Sequence, residues 1–194
     1  MRRAAAVVLV LLLAACQTAE SPSRPVATNA AAPTAAAAPV FAGLERTRNQ
    51  SNKDDVLASI VSRRIAELDR RAYRAVTVEV WGGRALLMGA VIKPEQRRKA
   101  EQVAASVDGV AAVHNELVLA EDKALDVFVA DPEREEAVRR QLNIEGRAGT
   151  TVRVINGVAF LLGAAPSAEA AGAMKADATE VTGVKWVVSL LKTP

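Results

Sequence analysis

At 194 residues, 51% of them hydrophobic, the chain has room for one ordinary domain or two small ones and enough apolar bulk to fold. Its 25 basic and 22 acidic residues give a formal charge of +3, but Arg2 and Arg3 sit at the head of an apolar leader. Without them 23 basic residues face 22 acidic ones, which leaves no electrostatic footprint for nucleic acid. A single cysteine excludes a disulfide within the chain, and with a single histidine it is too little for a His/Cys metal site.

The first element is Met1-Arg2-Arg3 followed by an apolar run from Ala4 to Leu13. A positive start and an apolar stretch of this length form a signal peptide, here residues 1–15. The run is too short to span a bilayer, which takes about 20 apolar residues. It ends in Leu13-Ala14-Ala15-Cys16, which resembles the bacterial lipobox. That resemblance implies cleavage before Cys16 and diacylglycerol, with palmitate-type acyl chains, on its thiol. Each acyl methylene inserted in a membrane is worth about 0.8 kcal/mol, so several chains anchor firmly where one does so marginally. Gln17 after the cysteine, in place of Asp, implies by the sorting rule of such lipoproteins export to the outer membrane, on its periplasmic face.

Residues 16–50 are expected to be the lipidated cysteine and a tether. From Gln17 to about Val40 the sequence is Ala, Pro, Ser and Thr, too poor in apolar bulk to offset the entropy of ordering. As a coil, the 34 residues from Gln17 to Gln50 reach about 30 Å. Local helix in the alanine run would change the reach and not the role.

Beyond the tether the chain repeats itself. Trp81-Gly82-Gly83-Arg84-Ala85-Leu86-Leu87-Met88-Gly89 falls on Ile155-Asn156-Gly157-Val158-Ala159-Phe160-Leu161-Leu162-Gly163, an offset of 74 residues. The same offset takes Val78 and Val80 to Val152 and Val154, Gly109-Val110 to Gly183-Val184, and Val113 to Val187.

Each repeat opens with a helix. In the first, about Asp54–Leu68, the apolar face is Leu57, Ile60, Val61, Ile65 and Leu68. Val76, Val78 and Val80 then alternate with polar residues as in a half-buried strand. Gly82-Gly83 supplies the positive φ angles of a two-residue type I′ turn, and a second strand runs over Arg84–Gly89. Pro94 opens another helix, with Ala100, Val103, Ala104 and Val107 on one face, and Asp108-Gly109 ends it. A last strand is expected at Val110–Leu119.

In the second repeat Asp131-Pro132-Glu133 caps the first helix, whose stripe is Ala137, Val138 and Leu142. Thr150, Val152 and Val154 form a strand, Asn156-Gly157 the turn, and Val158–Gly163 the return. Ser167 caps the second helix, and Val184–Leu191 is the last strand. Leu125, Val127, Phe128 and Val129, ahead of this repeat, are expected to be buried, with the space between the two domains as a candidate place.

Helix, strand, strand, helix, strand, used twice with a Gly-Val step before the last strand, resembles the BON domain of bacterial envelope proteins. The resemblance covers residues 54–120 and 124–193. It implies an α+β fold of two tandem small domains, each αββαβ with a three-stranded mixed sheet packed on two helices. Together with the lipobox the whole is similar to the paired-BON outer-membrane lipoproteins.

Residues that carry chemistry are sparse. His114 lies in an expected strand as a satisfied or solvated residue, and Gly82, Gly83 and Gly89 lack the strand-to-helix setting of a phosphate loop. The acid pairs Asp54-Asp55 and Glu135-Glu136 sit at helix starts or on polar faces, which suits the dipole and water better than catalysis. The expectation is therefore a non-enzymatic protein without cofactor, metal site or nucleic-acid partner.

Binding is what remains. Arg63, Arg64, Arg70, Arg71 and Arg74 cluster near the end of the first helix, and Arg97, Arg98 and Lys99 lie on the second. Held near a membrane, such cations attract anionic headgroups at about 1 kcal/mol each. In the family resembled, the first helix of the second BON domain is the phospholipid contact. Here that helix carries Glu133, Glu135 and Glu136 beside Arg134, Arg139 and Arg140. Phe128 with Arg139 and Arg140, and Arg63 with Arg64, are the candidate phospholipid contacts. The expected role is outer-membrane integrity; the alternative is a scaffold that docks on an envelope protein complex through unpaired sheet edges.

Overall fold

A computed structural model describes residues 45–147 and 149–194. The leader, Leu13, Ala14, Ala15 and Cys16, and most of the expected tether lie outside the described residues. Two repeats follow, each α+β, with a mixed sheet carrying helices on one face.

Helix α1 spans Arg48–Leu68, six residues further upstream than the expected start at Asp54. The Thr47 hydroxyl accepts from the Gln50 N–H, and the Gln50 carboxamide accepts from the Thr47 N–H. This reciprocal cap places the start at Thr47, so the last residues assigned to the tether form the first turn. Leu57, Ile60, Val61 and Ile65 face the core, whereas Leu68, expected on that stripe, is exposed at the helix end.

Strands β1 (Val76–Trp81) and β2 (Arg84–Val91) form the hairpin, with Trp81 opposite Arg84 across the Gly82-Gly83 turn. Gly82 and Gly83 take φ of +56° and +75°, as a type I′ turn demands. Helix α2 covers Pro94–Ala105. The expected last strand is broken in two, β3 (Ala112–Asn115) and β4 (Val118–Leu119), both parallel to β2. The break has a local cause. The Asn115 side chain accepts from the Leu117 N–H and donates to the Arg97 carbonyl and Glu101 carboxylate, while Leu117 turns into the core.

A 3-10 turn over Asp122–Val127 joins the repeats. Arg74 holds it, donating to the Asp122 and Asp126 carboxylates and to the Asp122 carbonyl. Of the apolar residues expected to be buried here, Leu125 is buried against Ala75 and Ala90, and Phe128 is half-buried. Val127 and Val129 instead stand exposed.

The second repeat is α3 (Pro132–Gln141), β5 (Thr150–Ile155), β6 (Val158–Ala164), α4 (Ala168–Thr179) and β7 (Trp186–Lys192). The Asp131 carboxylate and the Ser167 hydroxyl cap its helices. The sheet order is β5-β6-β7, antiparallel then parallel, as β1-β2-β3 is in the first repeat. Equivalent residues keep register, because Leu86 pairs with His114 and Phe160 pairs with Val188, each 74 positions on.

Each sheet buries one face under its helices. Leu87 and Val91 meet Val61, Ile65, Ala100 and Ala104, and Leu161 meets Val138, Leu142, Met174 and Ala178. The opposite faces meet each other. Leu86 and Met88 from β2 pack on Ile155, Phe160 and Leu162, with Trp81, Phe128, Val158, Val188 and Leu190 around them. The central strands are therefore buried on both sides, and residues 45–194 stack as helices, sheet, sheet, helices.

Candidate functional site

The seam between the two sheets is built from the repeat itself. Glu79 and Arg153 are 74 positions apart and touch, Nε to carboxylate at 2.8 Å. Contact between equivalent positions is what a two-fold axis relating the repeats produces, as in a symmetric dimer. Trp81 faces the same cluster as its counterpart Ile155, Leu86 as Phe160, and Met88 as Leu162.

Charges are buried in this seam with specific partners. Arg153 also reaches the Glu135 carboxylate at 3.1 Å; burial pulls its pKa down, but Glu79 and then Glu135 more than reverse this, so the net shift is upward. Glu135, only 3% exposed, accepts from the Val154 N–H as well. This departs from the polar-face role expected of Glu135. Asp54 departs likewise: it is buried and accepts from the N–H groups of Gly82 at 2.9 Å and Gly83 at 3.2 Å, clamping the hairpin turn. Arg46 ties the two repeats, bonding Asp54 at 2.7 Å, the Val80 carbonyl and the Thr151 hydroxyl.

Arg84 is 6% exposed and donates across the seam to the carbonyls of Gly163 at 2.8 Å and Leu190 at 2.9 Å. Its guanidinium lies 5.2 Å from the Trp81 ring centroid, and Arg46 lies 5.6 Å from the same ring. Burial lowers the Arg84 pKa from its ordinary value. His114, half-buried on β3, has its pKa lowered by burial first and by Arg84 second.

On the other side of the two-fold lies an apolar cleft of about 220 Å³, lined by Val158, Phe160, Ile155, Val188, Phe128 and Trp186, with Gly89, Val118 and Glu116 completing its wall. Trp186 is 63% exposed at its mouth, on β7 at the edge of the second sheet.

The residues read from sequence as phospholipid contacts are dispersed. Phe128 lines the seam cleft, whereas Arg140 borders a separate depression with Ala137, Gln141 and Thr182. Arg139 is engaged, donating to the Val152 carbonyl at 2.9 Å and lying 3.6 Å from both Glu135 and Glu136. Arg63 and Arg64 are exposed on α1, Arg63 with Glu67 at 4.0 Å. Arg63 and Arg70 share an open concavity with Ala58, Ser59, Ser62, Ala66 and Val78. Arg71 and Arg74 turn away to Asp122, whose hydrogen bond from Arg74 lowers its pKa. Among the described residues no group of three His, Cys, Asp or Glu side chains is placed to hold a metal, and no helix is long and apolar enough to cross a membrane.

Residues 53–121 and 130–194 each match the family model described as the BON domain. The chain belongs to the BON-domain family. Its two BON domains are the two repeats, stacked through the seam. A protein of Anaplasma centrale described as "Uncharacterized protein in gshII 5'region" is 30% identical over 127 residues, 62% of this chain and 82% of its own length. The outer membrane lipoprotein DolP of Haemophilus influenzae is 32% identical over 126 residues, 63% of this chain and 64% of DolP. The chain is thus a paired-BON protein similar to DolP. CdsD, a structural protein of the Type III secretion system of Chlamydia trachomatis, aligns in space over 68% of this chain and 91% of its own at 12% identity, with a TM-score of 0.30.

Proposed function

We propose that this paired-BON chain is a non-enzymatic envelope lipoprotein, cut before Cys16, acylated there, and held on the periplasmic face of the outer membrane, where its BON domains bind anionic phospholipid and contribute to membrane integrity. The observation that carries the reading is the similarity to DolP, an outer membrane lipoprotein, in a chain whose start reads Leu13-Ala14-Ala15-Cys16. Exposed Arg63 and Arg64 on α1 and Arg140 on α3 are the cations available to headgroups, at about 1 kcal/mol each near a charged surface. Glu67 and Glu136, beside Arg63 and Arg140, reduce that attraction. Phe128, in the seam, and Arg139, held by acids, contribute less.

Vesicle flotation tests the lipid contact. A soluble form beginning at Gln17, which keeps Arg46 on Asp54, should float with phosphatidylglycerol vesicles, stay behind with phosphatidylcholine vesicles, and release as salt rises. Arg63→Glu with Arg64→Glu should weaken flotation at least tenfold. Equal flotation on both vesicle types, or none, contradicts the reading.

A second reading, a scaffold docking on an envelope protein complex, draws on one feature: Val118, Leu119 and Trp186 are exposed large hydrophobic residues on the edge strands β4 and β7.

A further inference from the structure

The seam is not symmetric, and its asymmetry specifies what fits the cleft. Arg84 on β2 closes one side by donating to the Gly163 and Leu190 carbonyls, with Trp81 against its guanidinium. Moving each of these residues by the 74-residue repeat gives Val158 for Arg84, Gly89 for Gly163, Glu116 for Leu190 and Ile155 for Trp81. All four counterparts line the 220 Å³ cleft. The cleft is thus the two-fold mate of the Arg84 site, left open because the plugging position holds valine.

The open copy keeps what the filled copy uses and adds charge. A carbonyl oxygen has two lone pairs, so strand pairing at Gly89 does not exhaust its capacity, as Gly163 shows by accepting from Arg84 while paired within its own sheet. Where the filled side presents Leu190, the open side presents the Glu116 carboxylate, which makes no ion pair among the described residues. Where it presents Trp81, the open side has Phe128, Phe160 and Trp186, aromatic faces suited to a planar cation. Trp186 already has the Lys175 ammonium 5.8 Å from its ring centroid.

We infer that this cleft is a docking site for an arginine side chain of a partner protein, its stem against Val158, Ile155 and Val188, its guanidinium on the Gly89 and Glu116 carbonyls and the Glu116 carboxylate. The chain supplies this arginine to itself on one side of the axis and takes it from outside on the other. The site does not depend on phospholipid binding or on the lipid anchor. Trp186 at the mouth, beside the free edge of β7, puts the partner's adjoining backbone next to an unpaired strand.

The full chain, held in mild detergent and labelled with 15N at its two tryptophan indoles, tests this with the peptide acetyl-Gly-Arg-Gly-amide as probe. Trp186→Phe assigns the signals. The arginine peptide should shift the Trp186 indole saturably and leave Trp81 in place. The lysine peptide should bind about tenfold more weakly, since it lacks the planar fork, and a leucine peptide should cause no shift. Glu116→Gln should weaken arginine binding about tenfold. Val158→Arg, which restores the internal plug, should abolish it, with the unmoved Trp81 signal reporting an intact seam.

Leucine peptide binding as well as arginine peptide would overturn the inference in favour of an apolar occupant. So would unchanged binding to Glu116→Gln, no saturable shift, or Trp186 shifts that follow protein concentration without probe, which would mean a second copy occupies the cleft. Should Val158→Arg misfold, the Glu116→Gln and lysine-peptide comparisons still decide.

Discussion

Cutting the axial ion pair should reveal that the two BON domains are one cooperative body and that the pair is unequal. Glu79 and Arg153 meet at 2.8 Å with side chains 12% and 36% exposed, and Arg153 also holds Glu135, 5% exposed, at 3.1 Å. Opposite charges about 4 Å apart attract by about 4 kcal/mol at an effective dielectric constant near 20. The exposure of Arg153 admits water and salt, which brings the expected coupling down to about 1–2 kcal/mol. Glu79→Ala leaves Arg153 with Glu135 and should cost about 1–2 kcal/mol. Arg153→Ala leaves the Glu135 carboxylate with Arg139 at 3.6 Å as its remaining cation, beside the Val154 N–H, and should cost about 3 kcal/mol because a nearly buried carboxylate loses its main ionic partner. Urea unfolding of both single variants, the double variant and the parent gives the coupling energy. A coupling below about 0.3 kcal/mol, equal costs for the two single variants, or separate unfolding steps for the two domains in the parent would refute the reasoning.

Three further outcomes follow from the same contacts. Gly89→Ala should destabilise by more than about 2 kcal/mol in urea unfolding, because the added Cβ would stand 1.9 Å from the Ala75 carbonyl oxygen at a φ of +106°; a change within about 0.5 kcal/mol would contradict that geometry. Asp54→Ala frees two turn N–H groups and Arg46, and should cost about 2–3 kcal/mol by the same assay, against under about 0.5 kcal/mol for exposed Asp55→Ala. His114 has its pKa lowered in the folded chain by burial and Arg84, so the unfolded chain takes up its proton first. Stability should therefore fall as pH drops below about 6.5, the usual histidine value, and His114→Gln should flatten that part of the profile; identical profiles from pH 7 to 5 would remove the effect.

What the sequence reveals here is local pattern and repetition. The 74-residue offset carries the hairpins and the type I′ turns at Gly82-Gly83 and Asn156-Gly157, and the helix caps at Asp131 and Ser167 are legible beside them, because each depends on residues a few positions apart. The stacked sheets were also legible in principle. Leu86-Leu87-Met88 and Phe160-Leu161-Leu162 are unbroken apolar runs, the mark of a strand covered on both faces, whereas reading only the alternation in β1 and β5 suggests a sheet with one free face.

The start of α1 is masked by Asp54-Asp55, which look like a helix start although Asp54 serves as a clamp on a turn distant in sequence and Asp55 is exposed, while Thr47 and Gln50 form the cap inside a stretch that reads as tether. The buried roles of Glu135 and Arg84 are not legible, since nothing local distinguishes them from the more exposed Glu136 and Arg98. Arg84 finds its partners only across the seam, and Glu135 finds Arg153 and the Val154 N–H only where α3 packs on β5. Phe128 and Arg139 look like one basic-aromatic patch for the same reason, and tertiary contacts send one to the cleft and the other to the Val152 carbonyl.

In the proposed function an acylated Cys16 keeps this seam beside a membrane, and mass spectrometry of the amino terminus from native envelopes tests that most directly. The expected mature chain starts at Cys16 and carries a diacylglyceryl thioether with an acylated amine. A mature protein with a free Cys16 thiol, or one that retains Met1–Ala15, would contradict it.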